Sequence, residues 1–158
     1  LNTKIILPDK GILDTRAARK HYQLTRYTPS PDLAVFVRYY WIVRWDLRGK
    51  EPFRLEILQH PCMNLVFEKR KSKIYCVHRG KSTHLLTGKG EVIGVLFQPG
   101  GFWPFYHVDC RELFGKDAEA AERDMLAANG DQEMVTVAER FLRNLSQQQD
   151  ASVSLAAS

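Results

Sequence analysis

The stretch "GVLFQPGGFWPFY", Gly94 to Tyr106, joins two kinds of sequence at a break. Residues of strand character run into Pro99-Gly100-Gly101, and then Phe102, Trp103, Phe105 and Tyr106 arrive almost together. Gly94 permits close backbone approach inside a strand, and the Pro-Gly-Gly sequence ends that strand in a turn with positive φ. What such a corner can be used for depends on the elements that meet there.

Working outward, most of the chain before this corner alternates with a period of two. "FRLEILQ" sets Phe53, Leu55 and Ile57 opposite Arg54 and Glu56, the pattern of a half-buried strand. "CMNLVFE" and "KIYCVH" flank the basic turn "KRKSK" and predict a hairpin, with Cys76 across from about Phe67. "THLLT", the turn "GKG" and "EVIGVLFQP" predict another. Strand after strand without an intervening helix means antiparallel pairing in a sandwich or barrel.

Helical signals lie on either side. Ser30, Pro31 and Asp32 supply a cap, a first-turn proline and a charge suited to the helix dipole. Leu33, Phe36, Val37 and Tyr40 then recur at helical spacing, which predicts an N-terminal helix from Ser30 to about Tyr40. Beyond it Trp41, Val43, Trp45 and Leu47 share one face of a strand. "DAEAAERDMLAANG" and "DQEMVTVAERFLRNL" predict a C-terminal helical pair, with Asp117 near the start of the first. In the second, Met134, Val137, Ala138, Phe141, Leu142 and Leu145 form an apolar stripe. Packing on the sheet is the favoured role for that stripe, with a symmetric homodimer as the alternative. Residues 1–29 read as a lead-in in which "HYQLTRY" could add an edge strand, 30–145 as the domain, and 146–158 as a small, polar linker. The fold class expected is α+β, built on an antiparallel barrel or sandwich.

Composition narrows the function. The 158 residues suit one domain with a core, and no apolar run approaches the roughly 18 residues of a membrane span. Cys62, Cys76 and Cys110 are an odd set at irregular spacing and no secretory leader is legible, which points to a reducing cytoplasm. The net charge of +5 invites nucleic acid, but the charge is scattered, and Lys69 to Lys73 read as a solvated hairpin tip.

No catalytic constellation stands out. There is no nucleophile elbow, P-loop or dinucleotide fingerprint. His60, Cys62, Cys76, His78 and His84 are zinc-competent residue types, yet they lack a recognised ligand spacing. The H-x-H pattern of a metal-dependent cupin is absent, and His107 lies too far from Gly94 and Pro99 to complete the second cupin motif. The expectation is therefore no metal, no cofactor and no catalytic residue.

"PDLAVFVRYYWIVRWDL", "QHPCMNLVFE" and "GEVIGVLFQPGGFWPFY", in this order, resemble the N-terminal domain of AraC-type bacterial transcriptional regulators. The resemblance runs from about Tyr27 to Leu145. Its most specific parts are Pro61, Asn64, Leu65, Val66, Phe67 and Glu68, then Phe97, Pro99, Gly100, Gly101 and Phe102. It implies a cupin-like β-barrel that binds an effector or dimerises and controls helix-turn-helix units; those units are not in this chain, so DNA would be bound only through them. Under that reading Trp41, Trp45, Phe67, Phe97 and Phe102 wall a cavity with few charges inside, suited to a small planar or apolar effector. Asn64, Glu68 and Gln98 are its polar handles, and Gly94, Pro99, Gly100 and Gly101 shape the turn. Core packing is the competing role for each aromatic. A small cupin-like enzyme, an isomerase or metal-dependent dioxygenase, is the alternative function.

Overall fold

A computed structural model describes residues 2–7, 15–58, 63–75, 81–102 and 116–156. The expected positions His60, Pro61, Cys62, Cys76, His78, Trp103, Phe105, Tyr106, His107 and Cys110 lie outside the described residues. In chain order the described elements are β1 (Lys4–Ile5), α1 (Thr15–Ala18), β2 (Gln23–Tyr27), β3 (Val37–Asp46), β4 (Phe53–Leu58) and β5 (Asn64–Glu68). They continue with β6 (Lys73–Tyr75), β7 (Lys81–Leu86), β8 (Lys89–Phe97), α2 (Lys116–Leu126) and α3 (Asp131–Ala156). The mixed α+β class is as expected. The strands form two open antiparallel sheets, one ordered β1-β2-β3-β8-β5-β6 and one of β4 with β7.

The larger sheet has two covered faces, because its strands alternate side chains to either side. One face carries Val37, Tyr40, Ile42, Leu65, Phe67, Ile93, Val95 and Phe97 into a core completed by α2 and α3. The stripe Met134, Val137, Ala138, Phe141, Leu142 and Leu145 is buried there, so α3 packs on the sheet. Phe141 meets Phe67 edge to face, with ring centroids 5.3 Å apart. The opposite face carries Val43, Val66 and Val92 against Leu55 and Leu86 of the smaller sheet, with Ala18 and Tyr22 alongside. The two sheets thus pack as a sandwich.

Three local expectations are corrected. Residues 31–36 form hydrogen-bonded turns in which Ser30 O accepts from Leu33 N and Ala34 N, each at 3.0 Å, and β3 begins at Val37. The expected helix is therefore one turn followed by strand. Aromatic and β-branched residues from Val37 to Val43 favour the sheet, and a register shift between Val37 and Tyr39 changes the alternation. Leu33, Val37 and Tyr40 are all buried in one cluster, so the spacing located the core but not the element.

Secondly, β7 and β8 do not form a hairpin. β7 pairs with β4, whereas β8 lies between β3 and β5. A tight turn at Gly88 (φ +58) turns the chain from one sheet to the other, and periodicity carries no information about which partner a strand takes. Thirdly, the β5–β6 hairpin exists and pairs Asn64 with Tyr75 and Val66 with Lys73, so the ladder takes in Lys73, which was expected in the basic turn. Arg70 takes a positive φ of 61 in its turn. The 146–156 part of the expected linker is helical and continues α3, since it contains no glycine or proline to stop a helix. The 1–29 lead-in likewise supplies β1, α1 and β2, with β1 rather than β2 at the sheet edge. Among the described residues no helix is long and apolar enough to cross a membrane.

Candidate functional site

The corner after β8 is a type II turn. Gly101 N donates to Gln98 O at 2.8 Å, Pro99 occupies the second position, and Gly100 the third with φ +72. Gly101 lies so close to Phe36 O that an added Cβ would sit 2.2 Å from it. Gln98 N donates to the same Phe36 O at 2.7 Å, which fixes the corner against the turn before β3.

The aromatics named from sequence divide between the two faces. Phe67, Phe97 and Phe102 are buried on the helix-covered face, Phe97 and Phe102 edge to face at 5.1 Å. Trp41 and Trp45 are half-buried on the face towards β4 and β7. A β-sheet lies between the groups, so these five side chains do not line one common cavity. Trp41, Val43, Trp45 and Leu47 share a face as expected, but how that face relates to the aromatics of other strands depends on strand pairing, which alternation does not give.

On the sandwich face, Trp41 lies flat over Gly94, where an added Cβ would stand 2.0 Å from the indole. Its Nε1 donates to Asn64 Oδ1 at 3.0 Å, bringing together three positions singled out from sequence. Trp45 repeats the arrangement over Gly90, and its Nε1 donates to Thr87 O at 3.1 Å. Across the sandwich His84 pairs in register with Leu55, and its Nε2 is 3.3 Å from Ser82 Oγ. Burial pushes the His84 pKa down and the Lys73 charge adds to this, while Glu68 opposes it. These groups therefore feel one another across the two sheets. This face mixes apolar side chains with indole N–H, amide, imidazole and carboxylate groups.

Where the sandwich face reaches the ends of β3 and β8, a cleft of about 730 Å³ opens to solvent. Its walls are Arg44, Trp45 and Asp46 of β3, Lys89, Gly90 and Glu91 of β8, and the segment Arg19–Gln23 that follows α1. Tyr22 and Trp45 also belong to the apolar cluster between the sheets, so the cleft has an aromatic floor. His21 stacks on Phe53 of β4 with centroids 4.1 Å apart, joining this segment to the smaller sheet. Both carboxylates of the lining are engaged: Glu91 accepts from Arg44 Nε at 3.0 Å, and Asp46 is held by Arg48 at 2.6 Å. The Arg48 contact draws the Asp46 pKa down to about 2. A second groove of about 400 Å³ adjoins, sharing Arg19, Tyr22 and Gln23.

Sequence reasoning named Trp45 in this cleft and missed the cationic side chains. Their signal was present as "RAARKHY" and the "GKG" turn, two short basic stretches far apart in the chain. Only the pairing of β3 with β8, and the packing of α1 against the sandwich, brings them together.

The remaining polar clusters bind elements to one another. Asp131, at the start of α3, accepts from Tyr27 Oη at 2.5 Å and also from Arg44. Burial, then the Asp131 hydrogen bond and charge, push Tyr27 up to about 12. Glu139 is almost fully buried within the helix-covered face and accepts from Ser30 N, Ser30 Oγ, Asn2 Nδ2 and Arg143. Burial works to raise the Glu139 pKa, but the Ser30 and Asn2 hydrogen bonds and the Arg143 charge prevail, and the net direction is down. Among the described residues no three His, Cys, Asp or Glu side chains converge as a metal site requires.

Residues 25–119 match the family described as a domain of unknown function, DUF6597. No curated protein and no solved structure matches the chain.

Proposed function

Since the chain belongs to the DUF6597 family, whose matched region contains the sandwich strands from β3 to β8, we propose that it is a non-catalytic effector-binding domain. In this reading it is the sensory part of an AraC-type transcriptional regulator, with the two sheets forming a cupin-like body, working in the cytoplasm. It also carries whatever self-association the regulator needs. DNA is contacted by helix-turn-helix units outside these residues.

The observation that carries the reading is the cleft of about 730 Å³ with Trp45 and Tyr22 at its floor. Its size lies within the roughly 300–1,000 Å³ of small-molecule sites, and its combination of aromatic surface with a few polar groups is the usual lining of such sites. It is built by the β3–β8 pair at the centre of the larger sheet, so a ligand there touches a rigid element shared with the helix-covered core. The sequence resemblance set out above supplies the regulatory context.

A thermal-shift screen over metabolites and aromatic compounds tests it. A ligand present at about 100 times its Kd stabilises the folded state by about 2.7 kcal/mol, a rise of about 5–10 °C for a domain of this size. Absence of any such compound, with turnover of a substrate or about one zinc or iron per chain by elemental analysis, would transfer the reading to a cupin-like enzyme. Titration against promoter-derived and random duplexes at physiological salt should give equal, weak binding that fades as salt rises.

A further inference from the structure

We propose that the cleft takes a small dianionic aromatic compound, its flat body against Trp45 and Tyr22 and its charge met by Lys20 and Lys89. The proposal rests on the reading of this cleft as the effector site and adds the chemical class. Four cationic side chains, Arg19, Lys20, Arg44 and Lys89, line the cleft against two carboxylates, Asp46 and Glu91. Both carboxylates are already held by guanidinium groups, Asp46 by Arg48 and Glu91 by Arg44. Arg44 is held by Asp131 of α3 as well as by Glu91, so it is Lys20 and Lys89 that meet the anion. Lys20 and Lys89 are both exposed and come from different walls, one from the turn after α1 and one from the start of β8. An anion between them gains from both without removing either from water. The indole of Trp45 is pinned from behind by Gly90 and by its hydrogen bond to Thr87 O, so it offers a pre-set flat surface at little entropic cost. These features favour a ligand whose anionic groups are carboxylates or a phosphate.

Phthalate and phenyl phosphate serve as probes for the two anion sources, and dimethyl phthalate as the uncharged comparison, by calorimetry and thermal shift on the whole chain. At least one dianion is expected to bind and to raise the melting temperature, and the diester is not. The Lys20→Gln/Lys89→Gln variant should weaken dianion binding by roughly tenfold, as the loss of two solvent-exposed charge contacts implies. Its melting temperature without ligand should stay near that of the parent, since both side chains are exposed. Phthalate binding alone assigns the site to carboxylates, and phenyl phosphate alone to phosphate esters. Dianion binding that is unaffected by the double substitution overturns the placement. Binding of the diester or of neutral screen compounds, lost in Trp45→Ala while neither dianion binds, overturns the ligand class and leaves the effector reading standing. No binding by any compound in either experiment removes both.

Discussion

The two faces of the six-stranded sheet share a backbone and differ in nearly everything else. On the helix-covered face the largest side chains, Tyr40, Phe67, Phe97, Ile93 and Leu142 among them, are excluded from solvent, and the buried Glu139 of α3 is held by Ser30 and Asn2. On the sandwich face the apolar cluster is smaller, its indoles are half-buried, and imidazole, amide and carboxylate groups share the space. Burying polar groups costs free energy that a purely apolar face would not incur. The helix face therefore supplies stability, and the sandwich face carries the mixed polar and aromatic groups on which the proposed effector site draws. A mutation should read out differently according to which face it strikes.

The largest effect is expected from Phe141→Asp. It removes the edge-to-face partner of Phe67 and places a carboxylate in the apolar core, a loss of about 5 kcal/mol or more against a total stability of about 5–15 kcal/mol. Aggregation or loss of the cooperative urea transition is the expected result. A soluble, folded variant would mean that α3 leaves the sheet in solution, and the contrast between faces would collapse.

Gly94→Val strikes the other face. The new side chain must displace the Trp41 indole, whose atoms lie 2.0 Å from the Cβ position. A cost of about 1–3 kcal/mol is expected, with the fold retained and the tryptophan emission altered. Unfolding as complete as that of Phe141→Asp would show that both faces carry equal weight.

Glu139→Gln should cost about 1–3 kcal/mol, because a buried carboxylate with four donors becomes a neutral amide. The folded Glu139 pKa lies below the ordinary value of 4.5. Its contribution is thus fully present above that value and is lost as pH falls through the folded pKa. Urea titrations from pH 3 to pH 7, values of about that span being where carboxylates titrate, should show a shallower acid limb in the variant. An unchanged limb would assign it to Asp131 and Asp32 instead.

The smallest effect belongs to His84→Gln, on the sandwich face. Burial and Lys73 depress the folded pKa of His84, so protonation favours the unfolded chain. The wild type should lose stability as pH falls below about 6.5, where the unfolded histidine titrates. The variant should lack that slope while keeping the carboxylate limb. The histidine step of the sandwich would then be separable by pH from the carboxylate step of Glu139.

Much of this architecture was legible in the residues. Alternation in "FRLEILQ" located β4 and its inward set, and the stripe in α3 marked the side that packs on the sheet. Pro99-Gly100-Gly101 specified its turn, because a positive φ after proline is a local steric requirement. Periods and turn chemistry are properties of a few neighbouring residues, so the sequence states them directly. It also brought Trp41, Gly94 and Asn64 to notice, though not their mutual contact.

The tertiary structure decided what depends on partners distant in the chain. Ser30 to Tyr40 carried sound helix signals, yet pairing of Val37–Asp46 with β8 outweighed them, since the strand gains a ladder on both edges. β7 left β8 for β4 although a turn joins them, because either pairing satisfies the same alternation. The cleft depends most on this kind of information. Lys20 and Lys89 are remote in sequence, and no local pattern relates them; they line one site only because α1 packs beside the sandwich and β8 lies against β3. Sequence alone determined the strands, the stripe and the turn, whose causes are local, whereas strand pairing and the charge of the site were settled by contacts between segments far apart along the chain.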